Sequence, residues 1–313
     1  MIKIGYIILC HKEPKLVAEI AERVTKGTKN IAVVHVDLKS DIEKFKLEIP
    51  TTDQIKFVDN RVSIYWGGFS SIDATMVALQ MAMELNCDRY VLLQGCDYPL
   101  HTNDYIEEFF DKNRNVEFLK AYNVTKSKRK FNYMKCFGYH IYDGIDRGKK
   151  CIPTYIARAF TAFNKLGIKY RKGYYRNASN GARYDIYWGW AHFAITHECA
   201  AYILNIYNND TSFNRYFRHV FPADETYLQT IVYNSPFKNK VRDGGDVDET
   251  DHQTVQSMLN LTYFEYPKHV KVFNDPNEVS KKVIQNYLYI RKVSLEFVHR
   301  MKEPDCLIEG EDL

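Results

Sequence analysis

The run Phe221-Pro222-Ala223-Asp224-Glu225-Thr226-Tyr227-Leu228-Gln229-Thr230 sets two carboxylates between a proline and a stretch of helical character. Pro222 fixes the approach and Asp224 can cap the helix start. Glu225 is then expected in the first helical turn, near the positive end of the dipole. A carboxylate held there stays ionised near neutral pH and can take a proton from a hydroxyl. The same pair also reads as two ordinary first-turn acids. A second run, Arg61-Val62-Ser63-Ile64-Tyr65-Trp66-Gly67-Gly68-Phe69-Ser70, places two glycines before a helix start, where backbone can approach a ligand closely. Trp66 there can stack on a base or a sugar, or simply pack in a strand-to-helix turn. A third, Tyr289-Ile290-Arg291-Lys292-Val293, holds two cations between apolar neighbours. Fixed cations can neutralise a diphosphate, although a solvated charge pair is the plainer reading.

These residues need a frame. Ile2 to Cys10 is a near-continuous apolar run, as in a strand covered on both faces. Pro14 opens a helix with Leu16, Val17, Ile20 and Val24 on one side, and Gly27 ends it. Strands are predicted at Ile31 to Val36, Ile55 to Val58, Tyr90 to Leu93 and Val116 to Lys120. Helices are predicted from Ser70, with Asp73 completing its cap, and from Thr102 or Asn103 to about Asp111. This alternation predicts an α/β fold with a mostly parallel sheet flanked by helices. Ligands of such sheets sit at the carboxyl ends of the strands, here Cys10-His11, His35-Val36-Asp37 and Gly95-Cys96-Asp97. Residues 123–183, rich in Lys, Arg, Tyr and Gly, read as an irregular, partly exposed excursion. Helices follow at Thr196 to Tyr207 and Asp224 to Tyr233. After them come a polar loop (Asp243 to Asp251), a strand at Leu261 to Tyr266 and a helix from about Asn277. The chain is expected to form one domain: residues 1–120 a nucleotide-binding half, 121–185 the excursion, and 186–313 the acceptor and catalytic half.

The 313 residues are 45% hydrophobic and 26% charged, which excludes a disordered, collagen-like or coiled-coil chain. With 43 basic and 39 acidic residues, the balance argues against a dedicated nucleic-acid binder. No apolar stretch is long enough to span a membrane, and the first ten residues lack the length and cleavage site of a signal peptide. Seven scattered cysteines without a CxxC pair speak against a disulfide framework or zinc site, so a reducing cytoplasm is expected. Cys10 and Cys96 read as small buried hydrophobes. His35 reads as a strand-end hydrogen-bonding residue, and His11 and His192 show no ligand spacing.

Taken in order, these pieces resemble the core-2/I-branching glycosyltransferase family, which also contains peptide O-xylosyltransferases. The matching pieces are His35-Val36-Asp37 with Lys39-Ser40, Trp66-Gly67-Gly68-x-Ser70, and Gly95-Cys96-Asp97-Tyr98-Pro99-Leu100. Asp224-Glu225 with Gln229-Thr230 and Asn234-Ser235, and the closing Arg291-Lys292, complete the set. The resemblance implies a GT-A-like fold and an inverting transfer from a UDP-sugar to a hydroxyl, with N-acetylglucosamine the first choice and xylose the second. It implies that Glu225 is the catalytic base and that Asp37 and Trp66 contact the uridine part, with Ile8 lining that pocket. Asp97 is counted on the donor side. Lys292, with Arg291, is implied to hold the diphosphate, together with Lys268 or, failing that, Lys271. Metal-dependent GT-A enzymes carry Asp-x-Asp after the central strand. Gly95-Cys96-Asp97 has one aspartate, which favours a reaction without metal, and Asp246-Val247-Asp248 lies too late in the chain to replace it.

One departure stands out. The family often has Gly-Ser before aromatics on the acceptor side, whereas this chain has Trp188-Gly189-Trp190-Ala191-His192. Trp188 and Trp190 therefore become the acceptor-side candidates, on a face that has changed. The implied partners are a UDP-sugar and a glycan or lipid-linked glycan, with no nucleic acid. Basic stretches at 126–130 and 169–172 could touch the inner face of the membrane, and equally read as solvated loops. Oligomeric state is not legible. The rival reading is a non-catalytic nucleotide-sugar or glycan-binding protein on the same scaffold.

Overall fold

The computed structural model describes residues 1–127, 135–145, 152–165, 172–177, 180–242, 259–266 and 269–302. The chain opens with β1 (Ile4–Cys10), α1 (Pro14–Thr25), β2 (Ile31–Val36), α2 (Ile42–Glu48), β3 (Ile55–Phe57), α3 (Ser70–Glu84) and β4 (Arg89–Gln94). Next come β5 (Asp97–Pro99), α4 (Asn103–Lys112), β6 (Ala121–Asn123), α5 (Ile152–Lys165), β7 (Tyr174–Arg176), β8 (Arg183–Asp185), β9 (Tyr187–Gly189) and β10 (Ala194–Thr196). The chain continues with α6 (His197–Asn209), α7 (Thr211–Phe217), α8 (Tyr227–Tyr233), β11 (Thr262–Phe264), α9 (Lys281–Asn286), β12 (Tyr289–Arg291) and α10 (Leu295–Met301).

The main sheet runs β10-β4-β1-β2-β3. Its four other strands are parallel and β10 pairs antiparallel with β4. Helices cover both faces, as the α/β expectation required. The period-two geometry of β1 divides the core. Ile7, with Val33 and Leu92, packs against Ile72, Met76 and Leu79 of α3. Ile8, with Val34 and Leu93, packs against Leu16, Ile20 and Val24 of α1. Pro14 stands at the first turn of α1, and Gly27 just after the helix has φ +73°. A second sheet, β11-β12-β5, abuts the carboxyl end of β4.

Four expectations change. Residues 116–120 form no strand of the sheet, because β10 occupies the place beside β4. Only isolated bridges, Glu117 with Val241 and Phe118 with Ala194, remain. The expected excursion contains an ordered helix, α5, and the β7–β8 hairpin. Helix α8 begins at Tyr227, so Asp224 and Glu225 lie in the turn before it. Helix α3 is not capped by its own Ser70. The Ser70 hydroxyl accepts from Tyr65 N–H, and Asp73 pairs with Tyr207. The loop 243–251, with Asp246 and Asp248, lies outside the described residues.

Candidate active site

The order β4-β1-β2 makes a topological switch point between β1 and β4, where the strand order reverses, and sheets of this kind form their ligand crevice there, at the carboxyl ends. Strand β12 lies antiparallel to β5 beside this crevice and sets Arg291 opposite Asp97. Arg291 Nη1 donates to Asp97 Oδ1 at 2.8 Å. The other oxygen, Oδ2, is 2.9 Å from His192 Nε2 and accepts from the Gln94 N–H at 2.7 Å. Asp97 is wholly buried. Burial favours its neutral form, but Arg291, His192 and these hydrogen bonds outweigh it and hold the carboxyl below the usual range. Asp97 therefore does not face a donor directly. It seats Arg291, whose guanidinium also lies 3.8 Å from Cys96 Sγ and feels Asp224.

Lys292 continues the strand into the crevice. Its charge reaches His11 and Cys96, as does that of Lys12, and His11 also feels Lys39. Burial, Lys12, Lys39 and Lys292 lower the His11 pKa against the pull of Asp37. A cationic cluster thus gathers where β1 ends. Lys268 lies outside the described residues. The fallback, Lys271, is engaged elsewhere: its ammonium pairs with Glu278 at 3.0 Å and Glu265 at 3.7 Å.

At the end of β2, the Asp37 carboxylate accepts from the Lys39 backbone N–H at 2.9 Å and from Lys39 Nζ at 2.8 and 3.0 Å. Lys39 in turn lies over the Tyr65 ring at 4.5 Å. His35 behaves as a strand-end hydrogen bonder, its Nε2 accepting from the Val62 N–H at 2.9 Å. Burial drives its pKa down to about 4, so the ring is neutral. Ile8 is a core residue with no exposed surface, so it is not a pocket wall. Trp66 is 70% exposed and packs on Phe221 (ring centroids 5.3 Å) and Tyr142 (6.1 Å), which places it on the rim beside the turn that carries Glu225.

The start of α3 holds an internal anion rather than open backbone. Asp143 accepts from the N–H groups of Phe69 and Ser70, each at 3.1 Å. A Cβ at Gly68 would fall 2.0 Å from Asp143 Oδ1, so the second glycine admits this carboxylate.

Glu225 is held by Trp188. The indole Nε1–H donates to Glu225 Oε2 at 2.7 Å, and the Gly189 N–H donates to the Glu225 carbonyl at 2.8 Å. A Cβ at Gly189 would meet Lys120 O at 1.8 Å, so only glycine lets the strand pass here. Lys135 Nζ sits 4.7 Å over the Trp188 ring and 5.5 Å over Phe221. Burial and the neighbouring Asp224 push the Glu225 carboxyl up to about 8, while the Trp188 hydrogen bond and Lys135 pull the other way. This corrects the expectation of a carboxylate ionised near neutral pH by a helix dipole. Asp224 is also raised, by burial, against the charges of His192 and Arg291. Trp188 therefore supports Glu225, whereas Trp190 turns to another neighbourhood. It meets Phe264 edge-on at 4.9 Å and lines a narrow void with Lys120, His192, Asn260 and Thr262.

The structure thus joins Glu225, Trp188, Asp224, Asp97, Arg291 and His192 through direct contacts and fields, with Trp66 on the rim. The sequence sets His192 aside for want of ligand spacing, and Lys135 and Asp143 are not among its candidates. Nothing local marks them: each acts on a residue distant in the chain, and Lys135 and Asp143 sit in the basic stretch without evident period.

Two comparisons bear on this arrangement. The family model described as Core-2/I-Branching enzyme matches residues 4–286. Xylosyltransferase 1 of Rattus norvegicus is 21% identical over 132 residues, 41% of this chain and 16% of that protein. Xylosyltransferase 2 of Homo sapiens is 24% identical over 132 residues, 41% of this chain and 15% of that protein. The match therefore spans less than a fifth of the length of these relatives.

Proposed function

We propose that this chain, which belongs to the core-2/I-branching enzyme family, is a UDP-sugar-dependent glycosyltransferase that inverts the anomeric centre and needs no metal. N-acetylglucosamine is the first donor sugar to test and xylose the second, because the similar xylosyltransferases carry that sugar in their name. The acceptor is a glycan hydroxyl.

Displacement at an anomeric carbon needs a base on the acceptor side and a stabilised leaving diphosphate on the other. Glu225 is the base in this reading. The observation that carries it is a half-buried carboxyl raised to about 8, oriented by Trp188 and one residue from Asp224, which feels Arg291. A carboxylate with a raised pKa is a stronger base than a solvated one, and it is tuned near working pH. Arg291 and Lys292 are the donor-side cations, with Lys12 beside them. Fixed charges there lower the barrier by roughly 3 kcal/mol per good contact. Both Asp97 oxygens are committed to protein partners, which favours cationic side chains over an Asp-bound metal in this reaction. Asp37 and Trp66 are the uridine-side candidates. For uracil or ribose to use the Asp37 oxygens, Lys39 must yield some of them.

The test is calorimetric binding of UDP in excess EDTA. Micromolar binding that survives EDTA and weakens about tenfold or more in Lys292→Ala supports the reading, that being the strength of a charged hydrogen bond. Binding that appears only with manganese or magnesium contradicts it.

A further inference from the structure

Helix α5 (Ile152–Lys165) is amphipathic in the reverse sense to the other helices. Its inward side is mainly small or polar: Thr154, Ala157 and Asn164 are buried, and the half-buried Phe160 packs on Tyr139 with ring centroids 5.1 Å apart. Asn164 fastens the helix to the protein by accepting from the Tyr139 N–H at 3.0 Å and donating to the Tyr139 carbonyl at 2.9 Å. Its other large apolar residues point out. Ile152 is 75% exposed, Tyr155 54%, Ile156 48% and Phe163 51%. These positions recur at i, i+3, i+4 and i+11 and form one stripe. A soluble protein gains nothing by holding a polar side inward and an apolar stripe outward, and such stripes mark interaction surfaces.

The charge around the helix selects the partner. From Arg147 to Tyr184 the chain has ten Lys and Arg residues and no Asp or Glu. Ten of its 43 basic residues and none of its 39 acidic ones fall there, so the rest of the chain is net acidic. Arg158 and Lys172 are exposed among them. An apolar stripe set in an all-basic stretch is the pattern of a helix lying in the headgroup plane of an anionic bilayer. No helix among the described residues is long and apolar enough to cross a membrane, so the contact is with one leaflet.

We propose that the outward stripe of α5, with the exposed cations Arg158 and Lys172, docks the protein on an anionic lipid surface. The anchor is tied to the proposed site. Asn164 holds Tyr139 and neighbours His140, and the His140 ring lies 5.7 Å from Phe221, which carries the rim tryptophan. Docking would then bring the cleft close to a lipid-borne acceptor. The docking itself does not depend on the glycosyltransferase reading.

The experiment is co-sedimentation of the full chain with phosphatidylcholine vesicles, with and without phosphatidylglycerol. Ile156→Ser/Phe163→Ser and Arg158→Gln/Lys172→Gln are run beside the wild type, and melting temperatures confirm folding. All four side chains are exposed, so both variants keep their melting temperature. The wild type is expected to bind only the anionic vesicles, and less at high salt. The serine pair should weaken binding about tenfold or more and the glutamine pair about fivefold or more, from two lost side chains and two lost charges. Absence of binding, or binding that either pair leaves unchanged, overturns the proposal. So does a dimer in ultracentrifugation that the serine pair splits, because the stripe would then be a self-interface.

Discussion

Arg291 and Asp97 stand directly opposite each other on neighbouring antiparallel strands, and the guanidinium donates to the buried carboxylate at 2.8 Å. The pair ties the late strand β12 to the end of the first half of the chain and fixes a cation at the mouth of the crevice. His192 completes the carboxylate's shell from a third segment.

Removing the charge of the buried Asp97 leaves the half-buried Arg291 without its partner. Asp97→Asn is expected to cost about 3–5 kcal/mol of stability, the usual penalty for breaking a buried ion pair. The folded Asp97 pKa lies below the ordinary carboxylate value. Its stabilisation is thus complete above that ordinary value and is lost as pH falls through the folded one. Thermal melts should show a wide gap between wild type and variant at neutral pH. The gap should close on acidification below the carboxylate range.

Glu225 has the opposite sign. Its folded pKa is raised to about 8, so its ionisation opposes folding. Glu225→Gln mimics the protonated side chain. The variant's stability advantage over wild type should be absent in acid below the ordinary carboxylate value, grow as pH rises towards about 8, and level off beyond it. Melting temperatures across that range give the check; a constant difference would mean that the carboxyl titrates as a solvated group.

Lys135 lies over the same indole that donates to Glu225. A cation on the ring face draws density from the N–H and strengthens its bond to a carboxylate, and its charge also favours the ionised acid. Lys135→Met should therefore raise the Glu225 pKa and move the acid limb of kcat/KM to higher pH. Lys135→Arg should restore it, which a purely structural role would not require.

Asp143 reaches 74 residues back to cap α3 with two hydrogen bonds. Asp143→Ala should cost about 1 kcal/mol, as for other lost helix caps. It should also loosen the Trp66–Tyr142–Phe221 rim, read as a change in Trp66 fluorescence.

Strands β1 and β2 and helix α1 are legible because long apolar runs and helical spacing act locally. Glu225, Arg291 and Lys292 are legible as residues because their motifs are contiguous. What escapes the sequence is mostly decided at a distance. Strand β10 is three residues long and earns its place by displacing 116–120 from the side of β4. The proton affinity of Glu225 is set by burial and by Asp224, not by the helix start, which lies two residues later. Ile8 has the right type for a pocket wall, yet alternation along β1 turns it into the core. Helix α5 carries helical spacing in plain view. Its apolar face points outward and basic residues flank it in the sequence, so it does not read as part of a core.

The central claim is that Glu225 takes the acceptor proton while the cations of the crevice hold the donor. The most direct measurement compares Glu225→Gln with wild type for UDP affinity and for turnover of a UDP-sugar. UDP affinity within about twofold, with turnover down by about 10²–10⁴ as for a lost general base, is the predicted result. A Glu225→Gln variant that turns over like wild type would contradict it.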